Sequence, residues 1–124
     1  MEQLTGIARF TFKPGRVEEF KELSARCMEI VRDLDRGTLS YDIFLTPDET
    51  EAVVVERYRD SAALVEHLAH IGDELMGAIM DTTASVDGWT LGTPSDELRS
   101  GLEGGPVRLL APFLSMSSTD DPPS

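Results

Sequence analysis

Two histidines, His67 and His70, stand three residues apart, with Glu66, Asp73 and Glu74 close by. Two imidazoles and a carboxylate suit a metal on paper. Helical spacing of about 100° per residue separates them, however. The apolar stripe of this segment centres near Leu64, Leu68 and Ile71, His67 lies at its margin, and His70 and Asp73 turn onto the polar face. The expectation is therefore no metal site and solvated helix histidines, with His67 able to look into a pocket between helix and sheet. A second group is Tyr41, Glu56 and Tyr58. Tyr41 alternates with Leu39 and Ile43, and Glu56 and Tyr58 with Val54, so all three point to one side of a sheet. A carboxylate buried there needs a partner, and Arg9, Arg57, His67 or a tyrosine hydroxyl are candidates. That set suits a phenol-binding or proton-shuttling cleft. The plainer alternative is that Glu56 caps a helix and the tyrosines pack as core. Trp89 falls opposite the parity of Val86 and Gly88, which sends it to an edge or the other sheet face.

Other chemistries lack their residues. Cys27 is central in an apolar stripe with no histidine at a catalytic spacing, which reads as core. The chain has no G-x-S-x-G, Walker or C-x-x-C motif, and Gly101, Gly104 and Gly105 follow a helical stretch, unlike a dinucleotide fingerprint. It contains no asparagine, which rules out N-glycosylation.

The elements that must position these residues follow from periodicity. Residues 4–12 alternate, with Leu4, Gly6, Ala8, Phe10 and Phe12 on one face. From Val17 to Leu34 the period is helical, and Asp33, Asp35 and Gly37 mark the exit. Residues 38–46 put Leu39, Tyr41, Ile43 and Leu45 on one face, and a turn at Pro47-Asp48-Glu49 leads to a return strand over 51–59. Asp60-Ser61 caps a second helix, which Gly72 and Gly77 kink or divide. Residues 83–92 form a final, weaker strand. The order is that of a ferredoxin-like βαββαβ domain, an α+β fold with both helices on one face of an antiparallel sheet. The expected domain runs over residues 1–92.

With 124 residues, the chain is sized for one domain. Eleven basic against 23 acidic residues give a net charge of −12, which disfavours nucleic acid and anionic membrane surfaces as partners. No apolar run approaches 18 residues and one cysteine permits no internal disulfide, so a cytoplasmic protein is expected. Ile7, Phe44, Val53 and Val55 point away from the helices, and an apolar face of that size predicts a homodimer packed face to face. Residues 93–114 form an extension: Ser95 opens a short helix through Leu102, and 107–114 supply a strand expected to reach the partner's edge. Residues 115–124 are polar and proline-containing, a disordered tail.

ARFTFKPGRVEEF (8–20), the turn into LSYDIF (39–44), and VVVERYRDSAALVEHL (53–68) resemble the antibiotic biosynthesis monooxygenase family. The resemblance implies a dimeric α+β barrel of two ferredoxin-like subunits, and the extension resembles a subgroup with a C-terminal addition. Members include cofactor-free oxygenases of phenolic polyketides or quinols and haem-degrading enzymes. The haem-degrading type resembles a site of Asn, Trp and His, where this chain has Ala8, His67 and a glycine near 77; the polyketide type also leans on an asparagine. The resemblance puts Tyr58 and His67 at pocket-lining positions and Glu56 at the signature glutamate.

These readings converge on a cofactor-free monooxygenase acting on a small aromatic or quinol-like substrate. Its catalytic residues are expected to be His67, Tyr58 and Glu56, with Tyr41, Phe10, Leu68 and Met76 lining the substrate pocket. The rival is a non-catalytic binding dimer of the same fold.

Overall fold

The computed structural model describes residues 3–116. The elements follow in the order β1 (Leu4–Phe12), α1 (Val17–Leu34), β2 (Thr38–Leu45), β3 (Glu51–Tyr58), α2 (Ser61–Asp81), β4 (Thr83–Leu91), α3 (Asp96–Leu102) and β5 (Val107–Leu110). One sheet has the order β2-β3-β1-β4-β5. Its first four strands pair antiparallel in the ferredoxin-like arrangement.

The alternation of β1 does what its pattern predicts: Leu4, Phe10 and Phe12 are buried under the helices. Phe10 and Phe12 pack on Phe20 of α1, with ring centroids 5.7 and 4.7 Å apart. Ala52 and Val54 of β3, Cys27 of α1, and Ile71, Leu75 and Ile79 of α2 complete that core. A smaller cluster of Leu4, Tyr58, Ala63, Leu64 and Leu98 joins α3 to the domain. Asp60 caps α2, its side chain accepting from Ala63 N at 2.9 Å. Gly72 adopts φ 81°, a conformation suited to glycine, and breaks the helical run there; Gly77 lies within the helix.

Three expectations are corrected. Leu39 does not join Tyr41 and Ile43 on the inner face but is exposed. The register slips between Thr38 and Ser40, so a bulge leaves Leu39 outside the alternation. The stripe of α2 is rotated: Val65 and Leu68 are exposed, while Leu64, His67, Ile71 and Leu75 form the buried line, placing His67 at its centre. The last strand finds its edge within its own chain, where β5 runs parallel to β4 and pairs Gly88 with Val107. It ends at Leu110, and Phe113 and Leu114 stand almost fully exposed. The α3 helix starts as expected, with Ser95 Oγ accepting from Leu98 N. Most of the expected disordered tail lies outside the described residues. Among those described, no helix is long and apolar enough to cross a membrane.

Candidate active site

The site lies where the end of α1, the middle of α2 and strands β2 and β3 meet. Its centre is His67, whose side chain is 2% exposed. The ring stands edge-on to Tyr41 and Tyr58, each centroid 5.4 Å away. A buried imidazole needs hydrogen-bond partners. His67 Nδ1 finds Asp35 Oδ2 at 2.7 Å, and its Nε2 points towards Glu56, 4.0 Å from Oε1.

Asp35 is the residue that sequence reasoning missed. The sequence places it at the exit of α1, and it does follow the helix, its N–H donating to Val31 O. The chain then turns inward through Asp35 and Gly37, and the Asp35 side chain is 3% exposed. Gly37 makes the approach possible, because a Cβ there would collide with Ala63 of α2. Thr38 Oγ1 donates to Asp35 Oδ2 at 2.6 Å, and His70 Nδ1 lies 2.7 Å from Oδ1. His70 is therefore no free surface residue; it reaches back over the helix rim to the same carboxylate that holds His67. Burial opposes the Asp35 charge, but the hydrogen bonds from His70, Thr38 and His67 outweigh it and hold the carboxyl below its ordinary range. Only the i, i+3 spacing of the histidines hinted at a common partner.

Glu56 behaves oppositely. Burial pushes its carboxyl above the ordinary range, despite the pull of His67 and the hydrogen bond from Tyr58. Its partner is the Tyr58 hydroxyl, which donates to Oε1. Arg9 and Arg57 do not serve it: Arg9 pairs with Asp87 and Arg57 with Gln3. Burial also pushes the Tyr41 and Tyr58 hydroxyls far up, so both are neutral donors. The Cys27 thiol is likewise pushed up by burial, which suits core rather than nucleophile.

His67 and Glu56 face a cavity of about 70 Å³. Tyr41, Phe10, Leu68 and Met76, all expected in the pocket, line it, with Phe20 and Ile71 among the other apolar walls. Leu68 is half exposed, at the cavity's rim, while Tyr58 is buried behind Glu56 and does not line the cavity. An open groove of about 290 Å³ between α1 and β2 adjoins the cavity, sharing Phe20, Ser24 and Ile43 with its lining. Among the described residues, no group of three or more His, Cys, Asp or Glu side chains is arranged to hold a metal ion.

The arrangement is an α+β domain in which helices roof a ferredoxin-like sheet and enclose an apolar chamber with acid–base groups at one end. The family model for antibiotic biosynthesis monooxygenases matches residues 4–72, and the chain belongs to that family. The matched span holds Asp35, Tyr41, Glu56, Tyr58, His67 and His70. Among solved structures, MupZ from Pseudomonas fluorescens is similar over 94% of this chain and 95% of its own, with TM-score 0.82 and 22% identity, which shows the shared fold. Rv0793 from Mycobacterium tuberculosis is 27% identical over 76% of this chain and 96% of its own, with TM-score 0.62. PA3566 from Pseudomonas aeruginosa is 26% identical over 77% and 97%, with TM-score 0.63. No protein of curated function matches the chain.

Proposed function

We propose that this protein is a cytoplasmic, cofactor-independent monooxygenase whose substrate is a phenolic or quinol-type small molecule bound between the sheet and the helices. The observation that carries this reading is the buried His67, held by Asp35 at Nδ1 and presenting Nε2 to an apolar chamber. A reaction with O₂ that uses no cofactor needs a substrate able to supply the electrons itself, and a phenolate does so. For a quinol the balance closes: quinol plus O₂ gives hydroxyquinone plus water, one oxygen atom entering the ring and the other leaving with two substrate hydrogens. In this reading His67 Nε2 takes the phenolic proton, and Asp35 stabilises the imidazolium that forms. The Tyr41 hydroxyl is placed to donate to oxygen as charge develops, and Glu56 stands on the Nε2 side of His67, where it can exchange a proton with the ring or the substrate. Tyr58 acts through Glu56, orienting its carboxyl from behind.

The working unit in this reading is a homodimer. Ile7, Val53, Val55, Phe44 and Trp89 share the sheet face that no helix covers. Phe44 is 57% exposed, and a second copy would bury this face. The exposed Phe113 and Leu114 of the extension would then lie against the partner.

The test is oxygen consumption by metal-stripped protein against hydroquinones, anthrones and catechols. The expected result is one O₂ consumed per product without release of hydrogen peroxide, and rates that fall at least about 100-fold in His67→Ala. Equal rates with and without protein across the panel would count against the reading.

A further inference from the structure

Asp35 stands between two imidazoles. Its Oδ2 accepts from Thr38 Oγ1 and meets His67 Nδ1, and its Oδ1 meets His70 Nδ1, each contact 2.6–2.7 Å long. An ionised carboxylate has no proton to give, so both ring nitrogens facing it must be donors. For His67 this selects the Nδ1–H form, although free imidazole in water favours the proton on Nε2. The consequence is directional: when neutral, His67 carries its lone pair on Nε2, the nitrogen facing Glu56. His70 differs from His67 in depth. Its side chain is 25% exposed against 2%, so it closes the carboxylate off from solvent. Without it, Oδ1 would open to water, and a carboxylate free to turn would hold His67 less firmly.

We propose that Asp35 and His70 are positioning residues for His67: the carboxylate locks its ring as the Nδ1–H tautomer, and His70 locks the carboxylate from the solvent side. The inference rests on the reading of His67 as the base, since it explains why that nitrogen is bare. It also gives the i, i+3 histidine pair a purpose other than metal binding.

His67 and His70 are the only histidines in the chain, so the ring nitrogens of full-length protein labelled with ¹⁵N-histidine give just two sets of signals. In the wild type, neutral His67 is expected to show a protonated Nδ1 and a bare Nε2, with the Nδ1 proton protected from exchange with water. His70→Ala should speed that exchange about tenfold or more, the loss of one charge-assisted hydrogen bond on the carboxylate. His70→Gln, whose amide N–H can still donate to Oδ1, should restore most of the protection. Asp35→Asn should move the His67 proton to Nε2; if this variant does not fold, the two His70 variants decide. An Nε2–H His67 in the wild type, or exchange unchanged in His70→Ala, would overturn the proposal. Because these spectra need no substrate, their failure is separable from a failure to consume oxygen.

Discussion

The two faces of the sheet are made by the same strands and have opposite fates. On the covered face, Phe10, Phe12, Ala52, Val54 and Tyr58 are buried, and among the described residues every deeply buried side-chain polar atom has a hydrogen-bond partner. On the other, Ile7, Val53, Val55 and Trp89 are only partly shielded and Phe44 is open. Period-two alternation puts one residue on each face in turn, so a strand such as AVVVERY loads both with apolar groups whether or not helices exist to cover them. The described residues form two long helices, and both lie on one side. The difference teaches that the covered face closes its chamber within one chain, whereas the open face leaves its apolar groups for the second copy proposed above.

Substitutions on the two faces should therefore separate. The largest effect is expected from Phe20→Ala, which empties the space between Phe10 and Phe12. It should cost about 3–5 kcal/mol and lower Tm on the order of 10 °C or more, read by calorimetry. Val55→Asp on the open face should act on assembly, weakening the proposed dimer on the order of 100-fold in sedimentation and leaving the His67 ring signals unchanged. If Val55→Asp instead melts the monomer, the two faces are not independent. Asp60→Ala removes the cap of α2 and should cost about 1 kcal/mol, without altering assembly.

The finest distinction lies inside the covered face, between its two carboxylates. Asp35 is held below its ordinary range, so it contributes stability above the unfolded carboxylate value that is lost as pH falls through the native value. Asp35→Asn should thus lower Tm at pH 7, and the gap from the wild type should narrow as pH falls below the ordinary carboxylate range. Glu56 is held above its ordinary range, so its charging costs stability as pH rises. Glu56→Gln should match the wild type near pH 4 and melt higher at pH 8. Thermal melts across that range check both signs, and parallel curves for the two variants would refute the assignment.

What was legible in the sequence was local. Alternation in LTGIARFTF and VVVERY, the helical period from Val17, and the Asp60 cap each depend on neighbours along the chain, and each produced its element. So did the unequal sheet faces and the meeting of Tyr41, Glu56 and His67. The misses depend on tertiary placement. A helix-exit aspartate is ordinarily solvated, and nothing local says that the turn at Gly37 carries Asp35 under α2. The bulge that ejects Leu39 is a property of the β2–β3 register. Periodicity puts His67 at the stripe's margin because a polar residue does not count as core, and it is the Asp35 partner that makes its burial tolerable. The parallel pairing of β5 on β4 depends on the path of α3 across the sheet end, where Ser95 N donates to Ser61 Oγ.

The central claim is that a buried imidazole, aimed by Asp35, removes the proton that lets a phenolic substrate react with O₂. The most direct test is the turnover rate of His67→Ala against wild type, metal-stripped, on whichever quinol or anthrone supports oxygen uptake. The account predicts a loss of at least about 100-fold with the fold intact by circular dichroism. A variant that turns over at the wild-type rate would contradict it.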